Sequence, residues 1–583
     1  MKCVRGCIRP FLSQYSPFLR SRAQQRDFSI FLRKQWPTPQ AKSEDSTDPQ
    51  SSLFSYTSGR YLFNEAKRLE DRHVVFHVAG LKLAAETAVE NKHGQVRSLE
   101  KRAEGGFNRV FLLTFEDGFE LIAKVPYRLA KPDYYTTASE AATLPFLRLK
   151  GIPVPHMYGY SPKSDNPVGT EYIFMEKAPG VSLASQWTSL TEGQIRKVTK
   201  SFVDIEQKFF QIAFGATGSL YSKKDIPLQL QAPLYSANFV AERPETETFC
   251  VGPIADYMFW YGRRASLDLD RGPWTDHVAY LRSIAQKEIE WTRRYGEPTE
   301  PTFPHNCLGL GVQDPNDYLR LLDDYKSLTP HLLPKSPSHP FNTPILHHPD
   351  LTHSNIFISP KSGEVSCLID WQHAFIQPTL LAAGYPPAFE NPDEEWPTDL
   401  EEPRLPPELQ TLDDNDKAGA TELYRRRLAF WSYRVLNGHF NKQHIAALRD
   451  PLLIGRQMLV DRAGRQWSGN LVTLKSTILL AAKFWQHLPD VEGIACPVKI
   501  DEEEMDDFAK LEERWVNMNM GVELWRTRLC GMTEDGWVSN EDYEEAKRQH
   551  EQLKEEMWQA CDDEHERMAF RTGWPWRDHE EIE

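Results

Sequence analysis

The chain has 583 residues, 40% of them hydrophobic and 11% aromatic, and a formal charge of −15. Four units of about 150 residues would account for that length, and the apolar content can bury sizeable cores, which excludes a wholly disordered or fibrous chain. No run nears the roughly 18 apolar residues of a membrane span, and an acidic chain lacks the basic surface that nucleic-acid binding requires.

Residues 1–36 carry eight basic side chains against the single acid Asp27, with serines and apolar residues between them. This is the composition of a mitochondrial transit peptide, a cationic segment drawn toward a negative compartment; Arg26-Asp27-Phe28-Ser29 resembles a matrix-protease cleavage site. The expected location is therefore mitochondrial. Residues 37–54, rich in Pro, Gln, Ser, Thr and Asp, predict a linker. Of the eight cysteines only Cys3 and Cys7 are close together, and no CxxC pair occurs, so buried thiols are expected rather than a zinc ribbon or disulfide framework.

The run Ala103-Glu-Gly-Gly-Phe-Asn-Arg-Val-Phe111 precedes alternating Leu113 and Phe115 and a turn at Asp117-Gly118. A glycine pair between two strands lets the backbone N–H groups of Gly105, Gly106 and Phe107 approach triphosphate oxygens. Glu120-Leu-Ile-Ala-Lys-Val-Pro126 predicts an apolar strand with Lys124 in its middle, matching the strand lysine that holds phosphates in kinases. Sixteen residues on, Glu140 lies in a predicted helix from which it would pair with Lys124, although Pro145 should kink or end that helix early. Gly151-Ile-Pro-Val-Pro155 breaks the chain, and residues 171–176 predict a strand that ends at Met175-Glu-Lys-Ala-Pro-Gly180.

Two short runs carry the chemistry. In Ile345-Leu-His-His-Pro-Asp-Leu-Thr-His-Ser-Asn355, His348, Asp350 and Asn355 fit H-x-D-x-x-x-x-N, the catalytic loop of kinases. Ile356–Ile358 then reads as a strand, Pro360–Gly363 as a turn, and Glu364–Asp370 as an apolar strand ending in a carboxylate. The resulting hairpin carries Asn355 and Asp370 at its open end, where two hard oxygen ligands would hold Mg²⁺. Asp350 would orient an acceptor hydroxyl and take its proton as the phosphoryl group of ATP moves. The cluster His347, His348, Asp350 and His353 also admits a zinc reading, but its spacing is not one of the standard ones and it leaves Asn355 and Asp370 unexplained.

The stretch from Asp501 to Glu583 has 26 acidic and 10 basic residues and six tryptophans. Apolar spacing at Leu553, Met557 and Trp558 predicts charged helices packed by one aromatic face onto the main body. The extension is also where a protein partner would bind.

Together these segments resemble the aminoglycoside phosphotransferase-like branch of the protein-kinase-like fold, in which Ile369-Asp370-Trp371 stands where kinases have Asp-Phe-Gly. Gly252-Pro-Ile-Ala-Asp-Tyr-Met-Phe-Trp260, Arg263, Leu269–Trp274 and His348-Pro-Asp350 are similar to the fungal mitochondrial group called altered inheritance of mitochondria protein 9. The resemblance implies an α+β, two-lobe architecture: a small antiparallel-sheet N-lobe over 55–178, a large helical C-lobe over 179–495 with a helical insertion at about 190–340, and the helical extension at 496–583. It makes the strand end near Glu176 and Ala178 the interlobe hinge, whose backbone would meet adenine. The implied activity is Mg-ATP-dependent phosphorylation of a hydroxyl on a small molecule; a catalytically silent nucleotide-binding scaffold is the alternative.

Overall fold

A five-stranded antiparallel sheet sits at the centre of the N-terminal half of the chain. The computed structural model describes residues 51–579 apart from 238, 240–242, 394, 398, 500, 501 and 562, so the basic segment 1–36 and most of the linker lie outside the described residues. A short strand β1 (Arg60–Tyr61) precedes the sheet. The sheet is built from β2 (Val96–Glu104), β3 (Asn108–Phe115), β4 (Glu120–Pro126), β5 (Met157–Ser161) and β6 (Tyr172–Glu176), in the order β2-β3-β4-β6-β5. Strand alternation decides which layer each side chain joins. On β6, Phe174 packs with Phe111, Leu113 and Phe115 under the helix Val78–Ala88. Ile173 and Met175 face the other way, toward α1 (Tyr135–Leu149).

Helix α1 does not stop at Pro145. It runs through the proline to Leu149, and Phe146 and Leu147 just beyond it are fully buried. An interior proline costs about 3 kcal/mol, but burying a Phe and a Leu contributes about 1.5–3 kcal/mol each. Packing outweighs the broken ladder.

From β6 the chain crosses to β7 (Val181–Ser182), which pairs with the second part of the molecule. Gly180 makes that crossing at φ +101°, where a Cβ would lie 2.4 Å from the Ile358 carbonyl oxygen. The following helix α2 (Glu192–Gln211) starts at a Thr191/Gln194 capping box and buries Ile195, Val198, Phe202, Ile205 and Phe209, the i, i+3, i+7 stripe of an inward-facing helix. The stretch expected to form a helical insertion also holds a two-stranded sheet, β8 (Ser219–Ser222) with β9 (Phe249–Gly252), whose short buried runs suit strands better than helical turns. Helices α3 (His277–Tyr295) and α4 (Pro315–Leu328) follow, each capped by an aspartate.

The loops of interest lie among β10 (Pro344–His347), β11 (Ile356–Ile358), β12 (Val365–Leu368) and β13 (Phe375–Pro378). β10 pairs with β13, and β12, β11 and β7 form a three-stranded sheet. Behind them α5 (Asp414–Phe440) packs on α2, while α6 (Leu453–Ala463) and α7 (Val472–Lys483) complete a helical core with α3 and α4. The extension forms α8 (Glu502–Arg528), β14 (Trp537–Val538), α9 (Tyr543–Ala560) and α10 (Glu564–Gly573). Strand β14 pairs with β1, and Trp574 and Trp576 are buried with Phe63 and Phe303. No helix among the described residues is long and apolar enough to cross a membrane.

Candidate active site

The loop from β10 to β11 is shaped by one buried imidazole. His348, 6% exposed, accepts the Asp350 backbone N–H on Nδ1 (3.1 Å) and places Nε2 3.0 Å from the Ile369 carbonyl, to which it donates. Both bonds require the neutral ring with its proton on Nε2, and burial pushes its pKa down to about 4. The Asp350 loop and the end of β12 are thereby held at a fixed distance. Asn355 adds a second tie: its Nδ2 donates to the Asp350 backbone oxygen (2.8 Å) and to Oδ2 of the Asp350 carboxylate (3.0 Å), while its own carbonyl accepts the Ile369 N–H (3.0 Å).

The β11–β12 register, Ile356 opposite Leu368, puts Asn355 and Ile369 at the hairpin's open end, and Asp370 is next in the chain. Asp370 has φ +64° and His373 φ +59°, two non-glycine residues in the left-handed region within four positions. Such strain, of order 1–3 kcal/mol each, persists where the surroundings over-determine the backbone. At Asp370 it turns the carboxylate from the hairpin toward β4.

There Lys124 Nζ lies 2.7 Å from Asp370 Oδ1 and 2.8 and 2.9 Å from the two Glu140 oxygens. Burial alone would lower the Lys124 pKa, but Asp370 and Glu140 together hold it above the usual lysine value, so the ammonium is charged. Burial opposes ionisation of Asp370 too, yet Lys124 keeps its carboxyl below the usual range. The Asp370 side chain is 44% exposed, unlike Glu140 at 4%. It is therefore the partner that can also face a ligand.

Gly105, Gly106 and Phe107 form the tip of the β2–β3 hairpin. Neither glycine has a positive φ, and a Cβ at Gly106 would meet nothing within 4 Å; the chain's own packing does not demand glycine there. Phe107 packs its ring against His373 (5.0 Å) and Tyr257 (5.2 Å). Behind it, the Asn108 amide donates to Gln372 Oε1, both side chains being buried. The hairpin tip is thus joined to the residues just after Asp370. Sequence reasoning missed Asn108, Gln372 and His373; their only local signal is a place beside Gly106 and Asp370.

Glu176 ends β6 opposite Leu121, and its carboxylate accepts the His156 N–H (3.0 Å) and faces Arg148 (3.4 Å). Ala178 lies in the crossing between β6 and β7. His353, the other loop histidine, turns away and packs its ring 4.2 Å from Trp187, and no group of three or more metal-ligating side chains occurs among the described residues. A cleft of about 1710 Å³ opens beside the loop, lined by His347, His348, Pro349 and Leu351 and by Asp256, Phe259, Tyr280 and Lys287. Its walls are largely apolar and aromatic, the character of a small-molecule site.

A family model described as the phosphotransferase enzyme family matches residues 98–381. The chain is 31% identical over 519 residues to a subtelomeric hrmA-associated cluster protein of Aspergillus fumigatus, spanning 83% of this chain and 97% of that protein. It is 26% identical over 496 residues to altered inheritance of mitochondria protein 9, mitochondrial, of Candida tropicalis, spanning 75% of this chain and 78% of that one. The crystal structure of aminoglycoside phosphotransferase APH(4)-Ia overlaps 69% of this chain and 98% of its own at 13% identity and a TM-score of 0.33, too slight to bear on the chemistry.

Proposed function

The chain belongs to the phosphotransferase enzyme family, and from that premise we propose that it transfers the γ-phosphoryl group of ATP, with Mg²⁺, to a hydroxyl of a small molecule in mitochondria. The observation that carries the reading is that Lys124 on β4 ion-pairs with Asp370, Asn355 hydrogen-bonds Asp350, and the bond from the Ile369 N–H to the Asn355 backbone carbonyl sets the two pairs side by side.

Asp370 and Asn355 fit Mg²⁺. Both offer hard oxygen donors, one a partly exposed carboxylate and the other an amide whose nitrogen is already engaged with Asp350. When bound, the ion neutralises charge on the β- and γ-phosphates. Lys124, kept charged by Glu140, holds phosphate oxygens, and backbone N–H groups at Gly105, Gly106 and Phe107 cover them. The backbone near Glu176 and Ala178 meets the adenine. Asp350 accepts the acceptor's hydroxyl proton while the new O–P bond forms, the bond from the γ-phosphorus to the bridging oxygen breaks, and ADP leaves. The cleft beside His347–Pro349 takes the body of the acceptor. A mitochondrial location is supported by the basic segment 1–36 and by the name of the Candida tropicalis relative.

The test is Mg-ATP turnover by wild type and Asp350→Asn in the presence of a pool of hydroxyl-bearing metabolites. A general base contributes about 10²–10⁴-fold, so turnover by the variant falls by that factor while the rise in melting temperature with Mg-ADP survives. Equal rates in the two proteins reject the assignment of Asp350. Nucleotide binding without turnover in either protein rejects the enzyme and leaves a nucleotide-binding scaffold.

A further inference from the structure

Just below its tip, the β2–β3 hairpin holds a buried carboxylate that the proposed chemistry does not use. Glu104, 1% exposed, immediately precedes Gly105. Its Oε2 accepts the Thr57 N–H (2.8 Å), the Thr57 hydroxyl (3.0 Å) and the Ser58 hydroxyl (2.9 Å). Its Oε1 accepts Lys101 Nζ (3.0 Å) and Arg109 Nε (3.0 Å). Arg109, also 1% exposed and directly opposite Glu104 across the hairpin, donates its other nitrogens to the Leu53 (2.9 Å) and Arg72 (3.1 Å) carbonyls. Both strands of the hairpin therefore grip residues 53–72 through one charged pair. The two positive neighbours and the Thr57 N–H hold the Glu104 carboxyl below the usual range even though burial pushes the other way.

Residues 57–72 are held in turn by the C-terminal extension. Asn540 donates to the Thr57 carbonyl (2.8 Å), Arg60 and Tyr61 pair with Val538 and Trp537, the Leu62 N–H donates to the Gly536 carbonyl (2.9 Å), and Arg72 meets Asp535 (3.2 Å). Gly59 is packed so closely that a Cβ there would fall 2.1 Å from the Trp537 indole nitrogen. The extension is anchored at its far end on the helical half, where the Phe303 N–H donates to the Gly573 carbonyl (2.9 Å) and Asn306 Nδ2 to the Ala569 carbonyl (2.8 Å). A continuous path thus runs from the helical half through the extension, Asn540, Thr57 and Glu104 to Gly105. It joins the two halves of the molecule on a route separate from the Glu176–Gly180 crossing.

We propose that Glu104 is a positioning residue that fixes the phosphate-covering hairpin over the nucleotide, and that the C-terminal extension acts through it as a strap setting the height of that hairpin. The proposal rests on the phosphotransferase reading, since it assigns the strap's effect to nucleotide affinity. A buried carboxylate with five donors holds its neighbours in one arrangement, and the backbone it steadies is the segment that would approach the phosphates.

The test uses the full-length protein with the probe AMP-PNP and Mg²⁺, comparing wild type, Glu104→Gln and Asn540→Ala. Glu104→Gln presents an amide NH₂ to donors on one side or the other, so it breaks the grip. Asn540→Ala removes one exposed contact far from the nucleotide and keeps the fold. Calorimetry well below the melting temperature is expected to show the Kd rising about tenfold in Glu104→Gln and about twofold in Asn540→Ala. Hydrogen exchange at residues 104–109 should accelerate in both, with kcat at saturating ATP within twofold of wild type. Variants that bind AMP-PNP as wild type does, with unchanged exchange at the hairpin and only a lower melting temperature in Glu104→Gln, would make the cluster merely structural and overturn the proposal. Wild type that binds no AMP-PNP defeats the phosphotransferase reading itself, and the strap falls with it.

Discussion

Lys124 binds both Glu140 and Asp370 and is the only cation to do so among the described residues, which makes its removal an informative perturbation. Lys124→Met keeps the apolar stem and deletes the charge. Asp370 can answer to solvent because its side chain is 44% exposed, whereas Glu140 at 4% cannot. Stranding one partner of a buried pair costs about 3–5 kcal/mol. A titratable group limits that cost by taking up a proton, at about 1.4 kcal/mol for each pH unit between solution and its pKa. The expected loss is about 3 kcal/mol at pH 7.5. It shrinks at pH 5.5, because burial raises the Glu140 pKa, the folded variant then binds more protons than the unfolded chain, and stability falls as pH rises. At about 1 °C per kcal/mol for a chain of this length, the melting temperature drops by about 3 °C at pH 7.5. Replacing the stranded carboxylate as well, in Lys124→Met/Glu140→Gln, should recover more than half of that loss, giving a double-mutant coupling well outside additivity. Thermal melts of the two single variants and the double variant at both pH values decide the matter. A double variant no more stable than Lys124→Met, or a loss independent of pH, would show that Lys124 does not neutralise Glu140 and would remove the electrostatic basis of the site.

The buried histidines give the protein an acid limit. Burial holds His348 at about 4 and His353 at about 3, against about 6.5 in an unfolded chain, so between roughly pH 6.5 and 4 the unfolded state binds the extra protons. Their contribution is complete above pH 6.5 and declines as pH falls, by on the order of 3 kcal/mol for His348; His348→Gln should make the pH slope of the melting temperature shallower in that window, and an unchanged slope would refute the assignment. Gly180→Ala combines φ +101° with a Cβ 2.4 Å from the Ile358 oxygen, whereas Gly118→Ala meets only φ +88° in open space. The first should destabilise by roughly 2 kcal/mol or more and the second by about 1 kcal/mol; equal losses in melting temperature would mean that the close approach of β7 to β11 is not what requires Gly180.

What could be read from the residues alone is local in the chain. The spacing of His348, Asp350 and Asn355 places all three in one loop, because the short connection between two short strands, from His347 to Ile356, can hardly reach elsewhere. The β11–β12 hairpin announces itself by two apolar runs around Pro360 and Gly363, and Lys124 by its place in the middle of an apolar run flanked by Ala123 and Val125, the pattern of a strand buried on both faces. Tertiary packing decided the rest. Pro145 reads as a helix end, and only the burial of Phe146 and Leu147 carries α1 through it. Asn108 meets Gln372 across 264 residues, and Asn540 meets Thr57 across 483. Such contacts leave no periodicity in the chain. They arise when separately formed layers dock, and each partner's neighbours in sequence carry no trace of the other. The type of chemistry was therefore written in short runs of residues, while the manner in which the hairpin, the ion pair and the extension are held in one arrangement came from the folded whole.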